Sequence, residues 1–334
     1  MKIERIEDFK TFLKLREEWN TLLFSSKQNS LFLTHEWFSA WWKSFGEGYS
    51  MEVLLYRNDD GSLAGVAPLM VKDRNLHLIA SREVSDYCDF FSLPERREDF
   101  FKDLLEYFKD RVGDLNKFEF INIKSSSPTL FFLPRLASEY GFAYTIHEEE
   151  EVPGMELPAS FEDYLGRLSR KNRHEVRRKL KRTESLGGIR IKRTTDPGEL
   201  LSSIDGFIAL HRESNPSKRR FWEKRGMMHF FHELIIQLAP RGWVELNVLY
   251  AGNETAAGLL NFSYADEVLF YNSAFSPMFS SYNPGFYLFI QSIKEAVSEK
   301  KKRADFLRGR EKYKYYFGGK TGKIFDLTLL PGEK

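Results

Sequence analysis

Three stretches of this 334-residue chain carry side chains whose types and spacing could do chemistry. The first runs Phe275-Ser276-Pro277-Met278-Phe279-Ser280-Ser281-Tyr282-Asn283-Pro284-Gly285-Phe286 and joins a strand pattern to a helix whose apolar face begins at Phe286. Asn283 suits an N-cap and Pro284 the first helical turn, where a missing N–H costs nothing. The free amides and dipole of such a helix start bind an anion such as phosphate or pyrophosphate. An ordinary capped helix accounts for the same residues.

The second stretch is Ala304-Asp305-Phe306-Leu307-Arg308-Gly309-Arg310-Glu311-Lys312-Tyr313-Lys314. It places an acid inside a short strand and follows it with Arg-Gly, two lysines and a tyrosine. In a strand Asp305 and Leu307 share one face and Phe306 and Arg308 the other, so Asp305 points at solvent or into a cleft. The competing reading is a surface ion cluster with Arg308 or Lys312, which would add little stability. The third stretch is basic: from Arg167 to Arg182 there are nine Lys/Arg and one Glu, a local +8. Read as a helix, it sets Leu165, Leu168, Val176 and Leu180 on one side, with Asn172 interrupting, and Arg170, Arg173, Arg177 and Lys181 on another. Charge runs on solvated faces usually mix signs; near-exclusion of acids fits phosphates instead, on a cofactor, an RNA or a lipid head group.

Other chemistries lack their residues. No Walker loop or GxGxxG follows a strand pattern, no Gly-x-Ser-x-Gly occurs, and His229 with His232 lacks a third ligand at useful spacing. The single cysteine, Cys88, excludes a disulfide framework or a cysteine metal cluster and reads as a small buried residue. No metal is expected.

The elements that must position these residues come in two similar sets. Residues 51–57, 63–71 and 76–80 read as strands separated by turns, and 244–250, 256–265 and 268–275 repeat them. Tyr56 aligns with Tyr250 and Gly65 with Gly258. Helical stripes precede each set (Phe12, Leu15, Trp19 and Leu22, then Phe38, Trp41, Trp42 and Phe45; later Leu201, Ile204 and Ile208, then Met228, Phe231, Ile235 and Leu238). A helix follows each set, from Phe101 to Val112 and from Phe286 to Val297, and then a strand, at 118–123 and 304–307. The acidic run Glu148 to Glu151 with Val152-Pro153-Gly154 marks the boundary, giving domains at 1–150 and 151–334. Most of the 30 Phe and 15 Tyr, and Trp19, Trp41, Trp42 and Trp243, read as core.

Length and composition agree. At roughly 100–200 residues per domain the chain holds two, and 42% apolar content excludes global disorder. No signal-peptide pattern opens the chain, and no apolar run approaches the roughly 18 residues of a membrane span, so a cytoplasmic protein without integral membrane contact is expected. The net charge of +2 conceals the basic segment, since the rest of the chain sums to −6.

Taken together, Ser169-Arg170-Lys171-Asn172-Arg173, Arg177-Arg178, Leu210-His211-Arg212, Asn283-Pro284-Gly285, Asp305-Phe306-Leu307-Arg308-Gly309 and Tyr313-Lys314 resemble the GNAT-like acyltransferase domain of CelD-like and FemAB-like proteins, the group with the BioF-like acetyltransferase domain. The resemblance covers roughly residues 160–316. The first half is similar through Phe32-Leu33-Thr34-His35-Glu36-Trp37, Gly65-Val66-Ala67-Pro68-Leu69 and Asp86-Tyr87-Cys88-Asp89. Arg310 stands where the family more often has an acid, and Ser214 lies near a position where Trp is common.

The resemblance implies an α+β fold of two tandem GNAT-like domains, each a mostly antiparallel mixed sheet flanked by helices. It implies an N-acyltransferase moving an acyl group from acyl-CoA, acetyl-CoA first among donors, to an amine. The acceptor would be a small molecule, an amino sugar or a peptide of polysaccharide or envelope biosynthesis, with peripheral membrane association an option. FemAB-like relatives use aminoacyl-tRNA instead, and a catalytically dead pair acting as a binding module is a third reading. Asn283, Gly285 and Phe286 would hold the coenzyme A pyrophosphate, with Arg308, Lys312 and Lys314 holding an anionic donor or acceptor. Asp305 would be the general base, directly or through water, and Tyr271 the proton donor to the leaving group. A backbone N–H within Leu259–Phe262 would face the oxyanion. Arg173 and His211 would contact substrate, and Asp86, Tyr87 and Asp89 would shape an acceptor groove in a degenerate first half. A general base matters because an amine attacks only when neutral; an α-amine of pKa about 8 is partly so at pH 7, a lysine near 10.4 hardly at all.

Overall fold

The computed structural model describes residues 2–332. The chain divides into two compact units, Met1–Glu150 with Lys323–Lys334, and Glu151–Gly322. In the first, β1 (Lys2–Ile6) leads into α1 (Phe9–Phe12), α2 (Arg16–Ser25) and α3 (His35–Phe45). Short strands follow: β2 (Ser50–Met51), β3 (Val53–Arg57), β4 (Leu63–Ala67), β5 (Leu69–Lys72), β6 (Asn75–Leu78) and β7 (Phe91–Ser92). Then come α4 (Arg97–Asp110), β8 (Lys117–Lys124), α5 (Thr129–Ala137) and β9 (Phe142–Glu151). The second unit runs β10 (Gly154–Glu156), α6 (Phe161–Arg167), α7 (Arg170–Glu184), β11 (Ile189–Thr194), α8 (Pro197–Ser214), α9 (Pro216–Glu223) and α10 (Met227–Leu238). It continues with β12 (Val244–Ala251), β13 (Glu254–Tyr264), β14 (Glu267–Phe275), α11 (Pro284–Ser298), β15 (Arg303–Asp305) and α12 (Lys312–Tyr316); β16 (Lys323–Pro331) ends the chain.

The second unit holds one sheet in the order β10-β15-β14-β13-β12-β11, antiparallel except for the parallel pair β14–β15. The first unit has two sheets, β1-β3-β4-β7 and β2-β5-β6-β8-β16-β9, with β6–β8 as its parallel pair. Each parallel pair spans three residues, Asn75–His77 against Lys117–Glu119 and Glu267–Leu269 against Arg303–Asp305. Each closes a strand–helix–strand crossover, through α4 or α11. This is the internal repeat seen from the sequence, with helices before, three strands between, and a helix and strand after.

Helix amphipathicity drives the layering. α4 turns Phe100, Phe101, Leu104, Leu105 and Phe108 to the sheet, each 1% exposed or less, and each such burial contributes about 1.5–3 kcal/mol. α11 does the same with Leu288, Ile290 and Ile293. The paired glycines serve close helix approach: a Cβ on Gly65 would lie 2.4 Å from the Phe100 ring and one on Gly258 2.8 Å from Phe207.

Three expectations need correction. Residues 63–71 do not form one strand; Pro68, which has no N–H to donate, separates β4 and β5 into different sheets. The apolar positions Leu165 to Leu180 belong to two helices, because Leu168 is extended and Ser169 starts α7 by accepting the Asn172 N–H at 3.1 Å. The last strand was assigned with residues 151–334, yet β16 pairs antiparallel with β8 and lies in the first unit. Its buried Ile324, Leu327 and Leu329 complete that unit's sheet. Among the described residues no helix is long and apolar enough to cross a membrane, and no cluster of acids, histidines and cysteine could hold a metal ion.

Candidate active site

The site grows from the crossover in the second unit. β14 and β15 run parallel as far as Leu269 and Asp305 and then part. β14 continues to Phe275 beside β13, with a bulge between Leu260 and Asn261 that leaves Tyr271 without an opposite residue. β15 turns away: Phe306 N–H donates to Pro153 O and Gly309 N–H to Glu151 O, both at 2.9 Å. Leu307 takes a left-handed φ of 58° in this turn.

Asp305 stands where the strands part, but its carboxylate reaches neither solvent nor an open cleft. It is fully buried, Oδ1 accepts the Leu307 N–H at 2.8 Å, and Oδ2 lies 3.7 Å from the Arg303 guanidinium. Its visible role is to hold the turn. Lys314, expected on an anion, is 3% exposed; its ammonium donates to the carbonyls of Leu307 (3.2 Å) and Arg308 (2.6 Å) and sits 3.0 Å from Glu311. It braces the same loop from inside. Arg308 is half-buried and Lys312 exposed on α12. Leu259–Phe262 lies on β13, which is paired with β12 on one edge and β14 on the other, so the ladder occupies that segment. The strand that leaves an edge open at the divergence is β14.

At the far end of β14 the chain reaches the start of α11. Asn283 adopts the left-handed conformation, φ 60° and ψ 44°, and its side chain does not cap the helix; its Nδ2 instead lies 3.3 Å from Ser281 O. Asn tolerates that conformation better than other non-glycine residues, which accounts for its presence. Pro284 opens the helix, leaving the amides of Gly285 and Phe286 without acceptors within the helix. A Cβ on Gly285 would meet nothing closer than Phe275 at 4.0 Å, so space is open over the helix start and the end of β14 lies beside it. The Phe286 side chain faces the other way, 9% exposed with its ring 4.4 Å from that of Phe317. Only its backbone remains available for an anion.

The basic helix α7 lies against this helix start. Thr183 is buried and donates to Tyr282 O at 2.7 Å, and Lys179 Nζ sits 4.2 Å from the Phe286 ring centre, where burial lowers its pKa. The N-terminal half of α7, with Tyr316, lines an open basin of about 1050 Å3 that includes Arg170, Lys171, Arg173 and Arg177. Glu175 is committed to Arg178 through two hydrogen bonds of 2.8 and 2.7 Å. Among the described residues, Arg170, Lys171, Arg173 and Arg177 form no ion pair. Asn172, the break in the apolar stripe, ties α7 to Tyr315 O at 3.4 Å.

A polar cluster on the side of α8 and α9 completes the surroundings. His211 is 4% exposed, and its Nδ1 accepts the Trp222 indole N–H at 2.9 Å, which places the ring proton on Nε2, 3.5 Å from the Asn272 amide. Burial, together with the charge of Lys218, pushes His211 down to about 3, so the ring is neutral. Lys218 donates to Ser273 O on β14, and its pKa falls to about 8, chiefly through burial and against the pull of Glu311. Ser214 Oγ accepts the Phe275 N–H at 2.9 Å. Lys218 and Trp222 were not singled out from the sequence, and Ser214 only as a departure from the family pattern. The available signal was helical spacing from His211, hidden by the exposed-looking Lys218-Arg219-Arg220 run. Tyr271 is half-buried on the bulged segment, its ring 4.8 Å from that of Phe262 and 5.9 Å from that of Phe231.

In the first unit, Asp89 and Tyr87 are framework rather than groove. Asp89 is 7% exposed, accepts from the Thr129 hydroxyl at 2.5 Å and the Phe90 N–H at 2.9 Å, and is raised to about 6 by burial. Tyr87 is buried under Lys124, whose Nζ lies 3.6 Å from the ring centre. Asp86 is half-buried beside them.

Residues 170–315 match the family model of the acetyltransferase (GNAT) domain. No curated protein sequence matches the chain. The fold is similar to the crystal structure of FemX, at 14% identity over 98% of this chain and 97% of that one, with a TM-score of 0.66. It is similar to a conserved protein of unknown function from Bacteroides thetaiotaomicron, at 12% identity over 98% and 100% of the two chains, TM-score 0.61. A tandem GNAT protein from the clavulanic acid biosynthesis pathway aligns over 100% of both chains at 9% identity, TM-score 0.54. At such identities the solved structures speak to fold. With the matched domain they give the chain a tandem GNAT fold in which residues 170–315 form an acyltransferase domain.

Proposed function

We propose that the second unit transfers an acyl group from an acyl-CoA thioester, acetyl-CoA first among them, to the amine of an amino sugar or peptide. The observation that carries this is the parting of β14 and β15 beside the open start of α11 at Gly285. The opening accepts an extended donor with its thioester near the divergence and its pyrophosphate on the Gly285 and Phe286 amides. Lys179 and the arginines of α7 add positive charge on that side. In the reaction the amine nitrogen attacks the thioester carbonyl, the C–N bond forms, the C–S bond breaks, and the amine proton leaves as the thiolate is protonated. Tyr271, at the bulge, is the candidate proton donor to that thiolate. The open-edge amide of Ser273 replaces Leu259–Phe262 as candidate oxyanion donor, because its carbonyl, and hence its N–H, faces away from β13 toward Lys218. Such a donor contributes on the order of 10²–10³-fold. Asp305 contributes by fixing the turn that opens the cleft.

Calorimetry with acetyl-CoA and longer acyl-CoAs tests this; no binding to any of them rejects it. A second reading, an aminoacyl-tRNA donor, is favoured by the unpaired arginines of the α7 basin. It requires tRNA binding that weakens with salt and with loss of Arg173 and Arg177.

A further inference from the structure

The freed edge of β14 is not bare. In the β13–β14 ladder Ser276 N–H donates to Ala256 O at 2.9 Å, and Ala274 lies opposite Gly258. The alternation of the ladder therefore turns the amide and carbonyl of Ser273 and Phe275 toward the edge that β15 has left. Groups on such an edge find partners or recruit another chain. Here the partners are side chains from the joint between α8 and α9. Ser214, the last residue of α8, accepts the Phe275 N–H, and its oxygen lies 2.9 Å from both Phe275 O and Leu210 O, either of which takes its proton. Lys218, in the first turn of α9, donates to Ser273 O.

The joint is a single residue. Asn215 is extended, with φ −167° and ψ 142°, and its side chain caps α9 by accepting the Ser217 N–H at 2.8 Å. Beyond it, Trp222 is 4% exposed and bonded to His211, so α9 is anchored at its far end. Its near end carries a capping side chain free of that anchor.

We propose that Ser214 and Lys218 form a latch on the donor site. They satisfy the edge of β14, and a donor whose extended arm offers N–H and C=O groups along that edge binds by displacing them. This rests on the acyl-CoA reading, whose donor carries two amides in such an arm. The latch lowers apparent affinity by the fraction of molecules in which it is open, since the apparent Kd is the intrinsic one divided by that fraction.

The test compares acetyl-CoA binding by calorimetry in the full chain and in the double variant Ser214→Ala/Lys218→Met. Hydrogen exchange at the Phe275 amide reports whether the latch has opened. The expected result is faster exchange without ligand and binding at least roughly tenfold tighter, the factor that accompanies about 1.4 kcal/mol. Ser214→Ala alone, which removes only a hydroxyl, should move both readings the same way by less. Equal affinity in wild type and variant overturns the latch and leaves the donor reading standing. Weaker binding in the variant overturns it by making Lys218 a donor ligand. No binding to either protein despite faster Phe275 exchange removes the donor reading, and the latch with it.

Discussion

Replacing Gly285 by Ala or Val separates the ligand from the fold. The added Cβ meets only the Phe275 ring edge, at 4.0 Å, which is ordinary contact. Removing a glycine from a helix without introducing strain stabilises by about 0.4–1 kcal/mol. At 2–4 °C per kcal/mol for a unit of this size, Tm should rise by about 1–4 °C. Pyrophosphate bound to the Gly285 and Phe286 amides would be held off by the new methyl. Losing one charge-assisted hydrogen bond costs about 1.5–3 kcal/mol, which is roughly a ten- to hundredfold rise in Kd. Calorimetry with acetyl-CoA alongside thermal unfolding reads both effects, and Gly285→Val should exceed Gly285→Ala in binding loss. Unchanged affinity in the valine variant, with Tm raised, would place the pyrophosphate elsewhere. A lowered Tm would show that the space over Gly285 is filled.

Other expected outcomes concern the side chains that changed role. Asp305→Asn should unfold near the wild-type temperature because its amide oxygen still accepts the Leu307 N–H, whereas Asp305→Ala should lose about 1–3 kcal/mol by stranding that buried amide; equal Tm values in the two variants would remove the turn-bracing role. His211 has a folded pKa near 3 against an ordinary 6.5. Below pH 6.5 the unfolded chain takes up a proton that the folded one refuses. Stability should therefore fall by roughly 1.4 kcal/mol per pH unit between 6.5 and 3, and His211→Phe should lack that component of the urea-unfolding profile. Asp89 works in the opposite sense: raised to about 6, it is protonated in the folded chain over a range where the unfolded chain has ionised, so stability is lost as pH rises from 3.8 through 6. Asp89→Asn should remove that loss and unfold at a higher temperature than wild type at pH 7. If the α7 basin binds nucleic acid, Arg173→Ala/Arg177→Ala should flatten the slope of log K against log salt by about 1.4–1.8 for two phosphate contacts; an unaltered slope in filter binding would clear these arginines of that role.

Much of the architecture was legible because its signals are local. The α4 and α11 stripes, the strand triplets and the turn residues lie within a few positions of one another, and each half repeats them. β16 escaped because it pairs with a strand some 200 positions earlier, as in Leu329 opposite Phe118, and nothing beside it in sequence names that partner. The split at Pro68 was readable in principle, since proline removes a ladder donor, but its consequence, two sheets instead of one, depends on what each fragment finds to pair with.

The sequence by itself determined which segments are candidates for function: the helix start at 283–286, the basic run and the acid at the end of a short strand. Residue types and spacing suffice for that, because caps, charge runs and strand ends are written in neighbouring residues. Which atoms face a ligand was decided only in three dimensions. Asp305 and Lys314 looked like a base and an anion clamp, but buried charged groups take whatever partners surround them, here the Leu307 amide and the Leu307 and Arg308 carbonyls. Lys218 is one of three cations in a row in the sequence, yet helix geometry turns it alone onto the edge that β14 keeps after β15 departs. Burial and edge pairing are properties of the packed chain, and in this protein they move the candidate working groups from acidic side chains to a strand edge and a helix start.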